Sequence, residues 1–224
     1  MKRIIILLCT FFCALNMVFA QSLSAVQEKQ MRTRAAQKVG QLTGYIESIA
    51  NKSESLEYRL YYKNAALKLF IGQGNAYDEI HYDNNGNKVT INREGVLMEV
   101  TSATKKTRKS YLIKKYFDNL AKLNYSKVEI MTTDIAHMSV SKLNKIGDHM
   151  YKCVCFFKQS FAGYREGRPV YMDITEKKVE CIIYEEETID GMEYIVRLGD
   201  VTAVETKPIT TTTSTNDILK ILNQ

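Results

Sequence analysis

The hydrophobic period of the sequence changes once, near Asn124, and this change limits the folds that the chain can adopt. Before Asn124, apolar residues recur at steps of three and four, which places them on one helix face; the longest series is Ala35, Val39, Leu42, Ile46 and Ile49. After Asn124, apolar and polar residues alternate, which is the pattern of a strand. Helices followed by long strands predict an α+β fold.

The part of the sequence before Asn124 predicts three helices and two short strands. The helices are expected at residues 35–49, from Asn51 or Ser53 to the glycines at positions 72 and 74, and at residues 107–123. The strands are expected at residues 88–92 and 96–101. A turn at Asn85-Gly86 precedes them, since both residue types accept a positive φ.

The part after Asn124 predicts an antiparallel sheet against which the N-terminal helices and the third helix pack. Its strands are expected at residues 128–143, 149–161, 170–175, 178–187 and 192–204, with a loop at 162–169 and a hairpin turn at Asp190-Gly191. No linker interrupts this order of elements. We therefore assign residues 21–206 to a single α+β domain and residues 207–224 to a C-terminal tail.

The predicted strand at residues 178–187 carries apolar side chains on both of its faces. Val179, Cys181 and Ile183 share one face, and Ile182 and Tyr184 share the other. A strand that is apolar on both sides is usually covered on both sides. The helices can cover one face, and a second copy of the chain would cover the other, which predicts a homodimer through the sheet.

The first twenty residues have the pattern of a secretory signal peptide. Lys2 and Arg3 form a positive region, an apolar stretch runs from Ile4 to Leu15, and Ala20 ends a site suited to cleavage. The apolar stretch is shorter than the ~20 residues that a membrane-spanning helix needs. We therefore expect an exported protein, periplasmic or extracellular after cleavage following Ala20, that does not span the membrane.

The charge of the chain argues against a nucleic-acid partner. The formal net charge is +6 over 224 residues and falls to +4 without Lys2 and Arg3. Nucleic-acid binding needs a concentrated basic face, which this mild excess does not supply. The densest basic cluster is Lys105, Lys106, Thr107, Arg108 and Lys109. Such a run is usually a solvated charged face.

Cleavage would leave three cysteines, Cys153, Cys155 and Cys181, so at most one intramolecular disulfide can form. Cys153 and Cys155 lie two residues apart on one predicted strand face, a spacing that is poor for a mutual bridge. Cys181 could pair with either of them. Both members of the pair lie in an apolar run, so packing alone accounts for them. We expect no essential disulfide.

A search for motifs that carry chemistry assigns no catalytic, cofactor-binding or metal-ligating residue. The sequence lacks a Gly-x-Ser-x-Gly elbow and a phosphate loop. Asp134 and His137 are close in sequence, but residues three apart point to opposite faces of a strand, which favours two exposed polar residues over a dyad. The loop between Tyr164 and Tyr171 contains two arginines and is either a contact surface or an ordinary hairpin turn.

The order of elements resembles the cone-shaped roll of the nuclear transport factor 2-like superfamily, which includes ketosteroid isomerase and scytalone dehydratase. The segments that carry the resemblance are residues 65–70, residues 111–117 and the long strands from Val128 onward. The chain as a whole also resembles exported proteins of unassigned function from Gram-negative bacteria. The superfamily resemblance implies a strongly curved sheet that wraps around helices and leaves a pocket at its open end. It also implies dimers that pack sheet against sheet.

Two functions follow from these observations. The first is an exported cell-envelope binding or interaction module without catalytic activity, whose partner is an envelope protein or a small apolar ligand, and which needs no cofactor. The alternative is a small-molecule enzyme of the isomerase or dehydratase kind. In catalytic members of the superfamily, as the resemblance implies, an Asp or an Asp–His pair works with tyrosine donors inside an apolar cone. That enzyme would bring a carboxylate and a tyrosine together in the pocket.

Overall fold

The computed structural model describes residues 23–83, 85, 87–105, 107–189 and 191–224. Its four helices are α1 (Ala25–Ala50), α2 (Leu56–Leu67), α3 (Ile113–Leu120) and α4 (Thr215–Leu222). Its ten strands are β1 (Tyr77–Tyr82), β2 (Lys88–Arg93), β3 (Leu97–Ser102), β4 (Thr107–Leu112), β5 (Lys127–Thr132), β6 (Ser139–Val140), β7 (Asn144–Gly147), β8 (Met150–Arg165), β9 (Arg168–Thr188) and β10 (Gly191–Pro208).

Eight of these strands form one sheet, and the other two form a separate hairpin. The order in the sheet is β4-β3-β10-β9-β8-β5, with β6 and β7 also pairing with β8. All neighbours are antiparallel except β3 and β10, which run parallel where Met98 lies opposite Val201. The hairpin consists of β1 and β2. The α+β class is confirmed, and the sheet is mixed because β3 returns alongside β10.

Strands β8, β9 and β10 hold the sheet together, and their alternation follows the predicted period of two. Tyr151, Cys153, Cys155 and Phe157 are all buried, as their predicted shared face requires. They lie opposite the odd-numbered residues of β9 from Ile183 to Lys177. Helix α1 covers this face, since its own apolar stripe is buried in the same core. The amphipathic stripe of the first helix therefore packs on the inward face of the longest strands.

Local capping signals fix where two of the helices begin. The Ser24 hydroxyl accepts a hydrogen bond from the Gln27 N–H, and the Gln27 side chain accepts one from the Ser24 N–H. This reciprocal pair is a capping box, which satisfies backbone donors that a helix N-terminus leaves open. At α4, the Ser214 hydroxyl accepts from the Asp217 N–H in the same way. Ile218 and Leu222 of α4 are buried against Ala162, Met172 and Ile174.

The structure differs from the sequence-based elements in several places. Helix α2 begins after Ser55, whose hydroxyl accepts from the Tyr58 N–H, rather than after Asn51 or Ser53. The strands predicted at 170–175 and 178–187 are one continuous strand, β9. Residues 107–112 form β4 rather than the first turns of a helix, because they pair with β3 from Leu97 to Ser102. Residues 77–82 form β1, which was not predicted, through pairing with β2. The predicted strand at 128–143 ends at Thr132, and a 3₁₀ turn at Ile135–His137 follows it. At β4 and β1, strand pairing overrides the local pattern.

The second face of the strand at residues 178–187 lies beside the hairpin of β1 and β2. Ile182 and Tyr184 line a cavity of about 730 Å³ together with Tyr77 and Ile80 of β1. Ile182 is buried within this single chain. The homodimer stays a prediction. It was expected because the face at Ile182 needed a cover, and in the structure Ile182 is already covered within one chain.

All three cysteines after the predicted cleavage site are free and buried. Cys153 and Cys181 lie directly opposite each other on β8 and β9, while Cys155 lies opposite Val179. Of the two pairings that the sequence left open, the strand register therefore favours Cys153 with Cys181. The absence of an essential disulfide stays a prediction.

Several predicted features lie outside the described residues. These are the signal peptide at residues 1–20 and single positions within predicted turns and the basic cluster, namely Gly86, Lys106 and Asp190. Among the described helices, none is long and apolar enough to cross a membrane. The division into residues 21–206 and a tail at 207–224 also stays a prediction.

Two glycines provide a matched test of the packing. A Cβ atom added at Gly163 of β8 would lie 2.6 Å from Tyr125 Cε1, whereas one added at Gly44 of α1 would meet nothing within 4 Å. We expect Gly163→Ala to lower the free energy of unfolding by about 1–3 kcal/mol because the Tyr125 ring must move. We expect Gly44→Ala to raise it by about 0.5–1 kcal/mol because alanine favours a helix interior. Urea unfolding measures both, and equal effects would contradict the close approach at Gly163.

Candidate functional site

A cavity of about 520 Å³ lies between the helix-bearing face of the sheet and helix α3. Strands β3, β4, β5, β8 and β9 form its walls with α3, and we call it the β9 cavity after the strand that supplies its central side chains. Its apolar wall is aromatic and aliphatic: Tyr116, Leu120, Leu123, Tyr125, Ile130 and Phe161. A volume of this size is in the range that small organic ligands occupy.

Three consecutive inward positions of β9 place Asp173, Thr175 and Lys177 in this cavity. The same face of β9 continues into the core at Val179, because side chains two apart along a strand share a face. Asp173 and Thr175 are only 5% and 6% exposed, and Lys177 is half-buried. The inward face of β9 is therefore apolar over one half and polar over the other.

Asp173 is a buried carboxylate held by a tyrosine of its own strand. The Tyr171 hydroxyl donates a hydrogen bond to Asp173 Oδ2 and accepts one of 3.2 Å from the Ala103 N–H. Burial raises the pKa of Asp173, since it removes water from the charged form, while the Tyr171 hydrogen bond and the charge of Lys177 lower it. The net effect on the pKa is upward, so this carboxyl group is more easily protonated than an exposed one.

Lys177 presents a primary amine to the same cavity. Its Nζ atom donates a hydrogen bond of 2.6 Å to Gln159 Oε1. Gln159 lies opposite Thr175 on β8, so the lysine side chain leans back along β9 in the direction of Asp173. Burial lowers the pKa of Lys177 to about 8, and the negative charge of Asp173 acts in the opposite sense.

Four tyrosines of the wall, Tyr111, Tyr116, Tyr125 and Tyr171, are the cavity tyrosines. Burial and the Asp173 carboxylate raise the pKa of Tyr171 to about 12. Burial also raises the pKa values of Tyr116 and Tyr125. A raised phenol pKa keeps the proton on the oxygen at neutral pH, so the hydroxyl groups of these three tyrosines can serve as donors.

The opening of the cavity is basic. Lys105 and Lys109 line it from the β3–β4 connection and from β4, and both are exposed. Glu99 of β3 lines it too, with its Oε1 atom 2.8 Å from Arg108 Nη1. The described residues of the basic cluster at 105–109, predicted as a solvated charged face, lie on β4 and the turn before it, where Lys105 and Lys109 line the cavity.

A second cavity lies between the β1–β2 hairpin and the opposite face of β8 and β9. Its volume is about 730 Å³, and its charged lining residues include Asp78, Lys145 and Asp148. These three residues are exposed, whereas Glu79, Lys152 and Glu180 of the same lining are partly buried. Lys152 Nζ lies 2.9 Å from Glu180 Oε2, so these two charges pair with each other. The β9 cavity is the better candidate because Asp173, Thr175 and Gln159 are at most 6% exposed, more deeply buried than any charged residue of this second lining.

The aspartate and histidines that the sequence suggested for chemistry lie outside the β9 cavity. His137 Nδ1 is 4.0 Å from Asp134 Oδ2, and both side chains are more than half exposed. Asp134 instead binds the chain end, since its Oδ2 accepts from Asn223 Nδ2 at 2.9 Å. His149 forms an exposed contact with Glu185. Among the described residues, no group of three or more His, Cys, Asp or Glu side chains is placed to hold a metal ion.

The predicted loop at residues 162–169 is a tight strand turn, with Glu166 and Gly167 at positive φ. Its residues stabilise the turn and its surroundings: the Tyr164 hydroxyl donates to Glu129, and Arg165 Nε donates to the Asn124 carbonyl at 3.0 Å. Tyr171 is the exception, because it reaches the β9 cavity. Of the two interpretations of this segment, the hairpin turn describes it better.

Four residues of the cavity were not predicted from the sequence: Gln159, Asp173, Thr175 and Lys177. The signal in the sequence is the polar alternation of residues 173–177, which precedes an apolar alternation of the same parity at 179–183. That pattern resembles the solvent face of an ordinary strand. Only the register of β8 and β9, together with α3 above them, makes it the wall of a cavity.

No protein-family profile matches the chain. A search of curated proteins likewise gives no match. Among solved structures, the chain is similar to the Kfla4162 protein from Kribbella flavida, with 13% sequence identity and a TM-score of 0.34. That similarity covers 78% of this chain and 93% of the Kribbella protein. Membership in the nuclear transport factor 2-like superfamily thus stays a prediction.

The hydrogen bond from Tyr171 to Asp173 leads to a titration experiment. Because this bond favours the carboxylate, we expect Tyr171→Phe to raise the pKa of Asp173 further. The matched control is Tyr164→Phe, which removes the hydrogen bond to Glu129 and should raise the pKa of that residue instead. Carbon-detected NMR of the side-chain carboxyl groups measures both values. An unchanged Asp173 titration in Tyr171→Phe would contradict the geometry described.

Proposed function

We propose that the protein is an exported module that binds a small, partly apolar organic molecule in the β9 cavity. The observation that carries the proposal is a set of buried polar groups, Asp173, Gln159 and Thr175, in a cavity that aromatic and aliphatic side chains line on one side. Ligand sites combine an apolar lining with a few fixed polar groups in this way. A gap left by imperfect packing would be apolar and dry.

The fixed position of these polar groups supports a site built for a ligand. The Thr175 hydroxyl lies 2.9 Å from that of Thr206, which also hydrogen bonds to Thr101. Asp173 is held by Tyr171, and Gln159 is held by Lys177. Side chains held by neighbours in this way lose little further freedom when a ligand binds, and affinity gains from that preorganisation.

The sequence supports the location and the fold family that this proposal assumes. The signal-peptide pattern of residues 1–20 supports export to the periplasm or beyond. The order of elements resembles the cone-shaped roll of the nuclear transport factor 2-like superfamily, in which a pocket opens between sheet and helices. Under this proposal the bound molecule, or an envelope protein that receives it, is the functional partner, and binding alone requires no catalytic step.

A homodimer through the sheet is a further part of this proposal. Phe156 of β8 and Val170 of β9 are exposed, and both lie at outward positions of their strands. A second copy that covers Phe156 or Val170 would lie on the face that carries α4 and the β1–β2 hairpin, and it would leave open the β9 cavity on the opposite face, where α1 and α3 pack.

Occlusion of the cavity tests the binding proposal. Asn119 of α3 lines the cavity, and we expect Asn119→Trp to fill part of it. Binding of the amphiphilic probe 8-anilinonaphthalene-1-sulfonate should be saturable with one site in the unmodified protein and about tenfold or more weaker in Asn119→Trp, a loss of at least ~1.4 kcal/mol. Probe fluorescence and calorimetry measure the affinity.

The control is Asn64→Trp, a substitution at an exposed position of α2 outside the cavity lining. It adds the same indole and should leave the affinity unchanged. Equal affinities in all three proteins, or no saturable site in the unmodified one, would overturn the proposal. Circular dichroism confirms that each variant keeps its secondary structure.

A second candidate function is acid–base catalysis on the bound molecule. The observation that favours it is the convergence of a carboxylate whose pKa burial raises, Asp173, with the protonated hydroxyl of Tyr171. A carboxylate can remove a proton next to a carbonyl group. The single O–H of Tyr171 is donated to Asp173, so a donor to the oxygen that becomes negative would come from Tyr116 or Tyr125 of the cavity wall. A carboxylate and a tyrosine donor are the residue types that the isomerase alternative requires.

Exchange of carbon-bound protons tests the catalytic candidate. In deuterated water, we expect the protein to accelerate loss of the α-proton signals of cyclohexenone, as followed by NMR. Asp173→Asn should slow this exchange by about a hundredfold or more, since it removes the general base. Asp134→Asn, at an exposed carboxylate outside the cavity, should not change the rate. Absence of exchange in the unmodified protein would count against this reaction class and leave the binding proposal standing.

A further inference from the structure

The β9 cavity contains one half-buried primary amine, and its environment differs from that of the neighbouring lysine. Lys177 occupies an inward position of β9 and lines the cavity. Lys178 occupies the next, outward position and is exposed. Lys105 and Lys109 line only the opening and are exposed as well. Lys177 is therefore the cavity amine that a bound molecule would meet beside the buried polar groups.

We propose that Lys177 is a nucleophile toward carbonyl compounds, and that the β9 cavity takes an aldehyde or ketone that Lys177 holds as an imine. This inference rests on the proposed binding function, because it names the chemical class of the molecule bound there. The geometry that supports it is an amine on the cavity wall whose Nζ atom is held by Gln159, with Asp173 on the same strand face.

The step balances without any oxidant or reductant. The lone pair of the neutral Nζ atom forms a bond to the carbonyl carbon, and the electron pair of the C=O π bond moves to oxygen, which takes up a proton. The nitrogen then loses its remaining protons as the C=N bond forms and the oxygen leaves as water. Amine and carbonyl compound give imine and water. The carboxyl group of Asp173 can give and take the protons, since burial places its pKa above the usual range.

The amine must be neutral to react, and burial makes the neutral fraction of Lys177 larger than that of an exposed lysine. With a pKa of about 8, roughly a tenth of Lys177 is neutral at pH 7, against less than about a thousandth for an exposed lysine. The charged groups that share the cavity lining with Lys177 are Asp173 on the same strand and Glu99, Lys105 and Lys109 of β3, β4 and their connection, together with the cavity tyrosines. Burial favours the neutral amine, while Asp173 favours the ammonium.

The aromatic wall indicates which carbonyl compounds would fit. Phe161 packs at a steep angle against Tyr125 and edge-to-face against Tyr171, with ring centroids 5.9 and 6.0 Å apart. An aromatic ring gains by packing edge-to-face or offset against such side chains. We therefore expect an aromatic aldehyde to react with Lys177 faster than its intrinsic reactivity toward an amine in water would give.

Reductive trapping in the full mature protein tests the proposal. Benzaldehyde and, separately, formaldehyde are incubated with the protein and sodium cyanoborohydride, and peptide mass spectrometry measures the modification rate at each lysine. At pH 7.5 we expect benzaldehyde to modify Lys177 about tenfold or more faster than Lys178. The ratio of benzaldehyde to formaldehyde rates should also be higher at Lys177, because only the larger probe gains from the aromatic wall.

The pH dependence of trapping adds a second readout. The rate at Lys177 should rise with a midpoint near pH 8, and Asp173→Asn should move that midpoint to lower pH because the carboxylate no longer favours the ammonium. Lys177→Arg keeps a positive charge and should lose the fast modification, whereas Lys178→Arg should keep it. Equal rates at Lys177 and Lys178, or equal probe ratios, would overturn the imine. Saturable binding of the anilinonaphthalene probe to the same sample would then show that the binding site itself is intact.

Discussion

The pairing of β8 with β9 is the interaction on which the rest of the structure depends. Their register is continuous from Met150 opposite Tyr184 to Gly163 opposite Tyr171. A shift of one residue would exchange the two faces of β9 relative to β8. It would turn Cys181 out of the core that Cys153 shares and turn Asp173 and Lys177 away from the cavity. The hydrophobic core and the candidate site are thus set by the same register, at opposite ends of the same face.

Burial of Asp173 and Lys177 has an energetic cost that the fold must offset. An isolated charge moved out of water loses hydration worth several kcal/mol, and neighbouring charges and hydrogen bonds recover only part of it. Leucine or valine at these positions would extend the core that Val179 begins. A carboxylate and an amine at these positions contribute less apolar packing to the core than leucine or valine would. That loss of packing is expected where a site must bind or react, because buried polar groups interact strongly in a medium of low dielectric constant.

The sequence predicts β8 and β10 to within about four residues because their period of two is long and unambiguous. Residues 150–161 fall within β8, whereas His149 precedes it at positive φ. The predicted sharing of one face by Cys153 and Cys155 is confirmed. At residues 107–112 the sequence predicts the start of a helix, whereas the structure has strand β4. No glycine or proline separates these residues from the apolar stripe that begins at Leu112, so nothing in the local sequence marks the boundary. What makes those residues a strand is the pairing of Tyr111 with Met98, a contact between distant parts of the chain. Local pattern carries no information about such a partner.

The candidate site was hidden for a related reason. Asp173, Thr175 and Lys177 read as the exposed side of a strand until α3 and the β3–β4 pair are placed above them. The wall opposite them is fixed by a contact that also requires tertiary structure: Tyr125 lies against Gly163, where any side chain would displace it. Phe161 packs on Tyr125, and Arg165 lies 5.9 Å from the centroid of the same ring. Because Tyr125 contacts Gly163, Phe161 and Arg165, packing fixes the wall opposite β9, and a molecule bound as proposed would meet the half-buried amine and the buried carboxylate in positions that already exist.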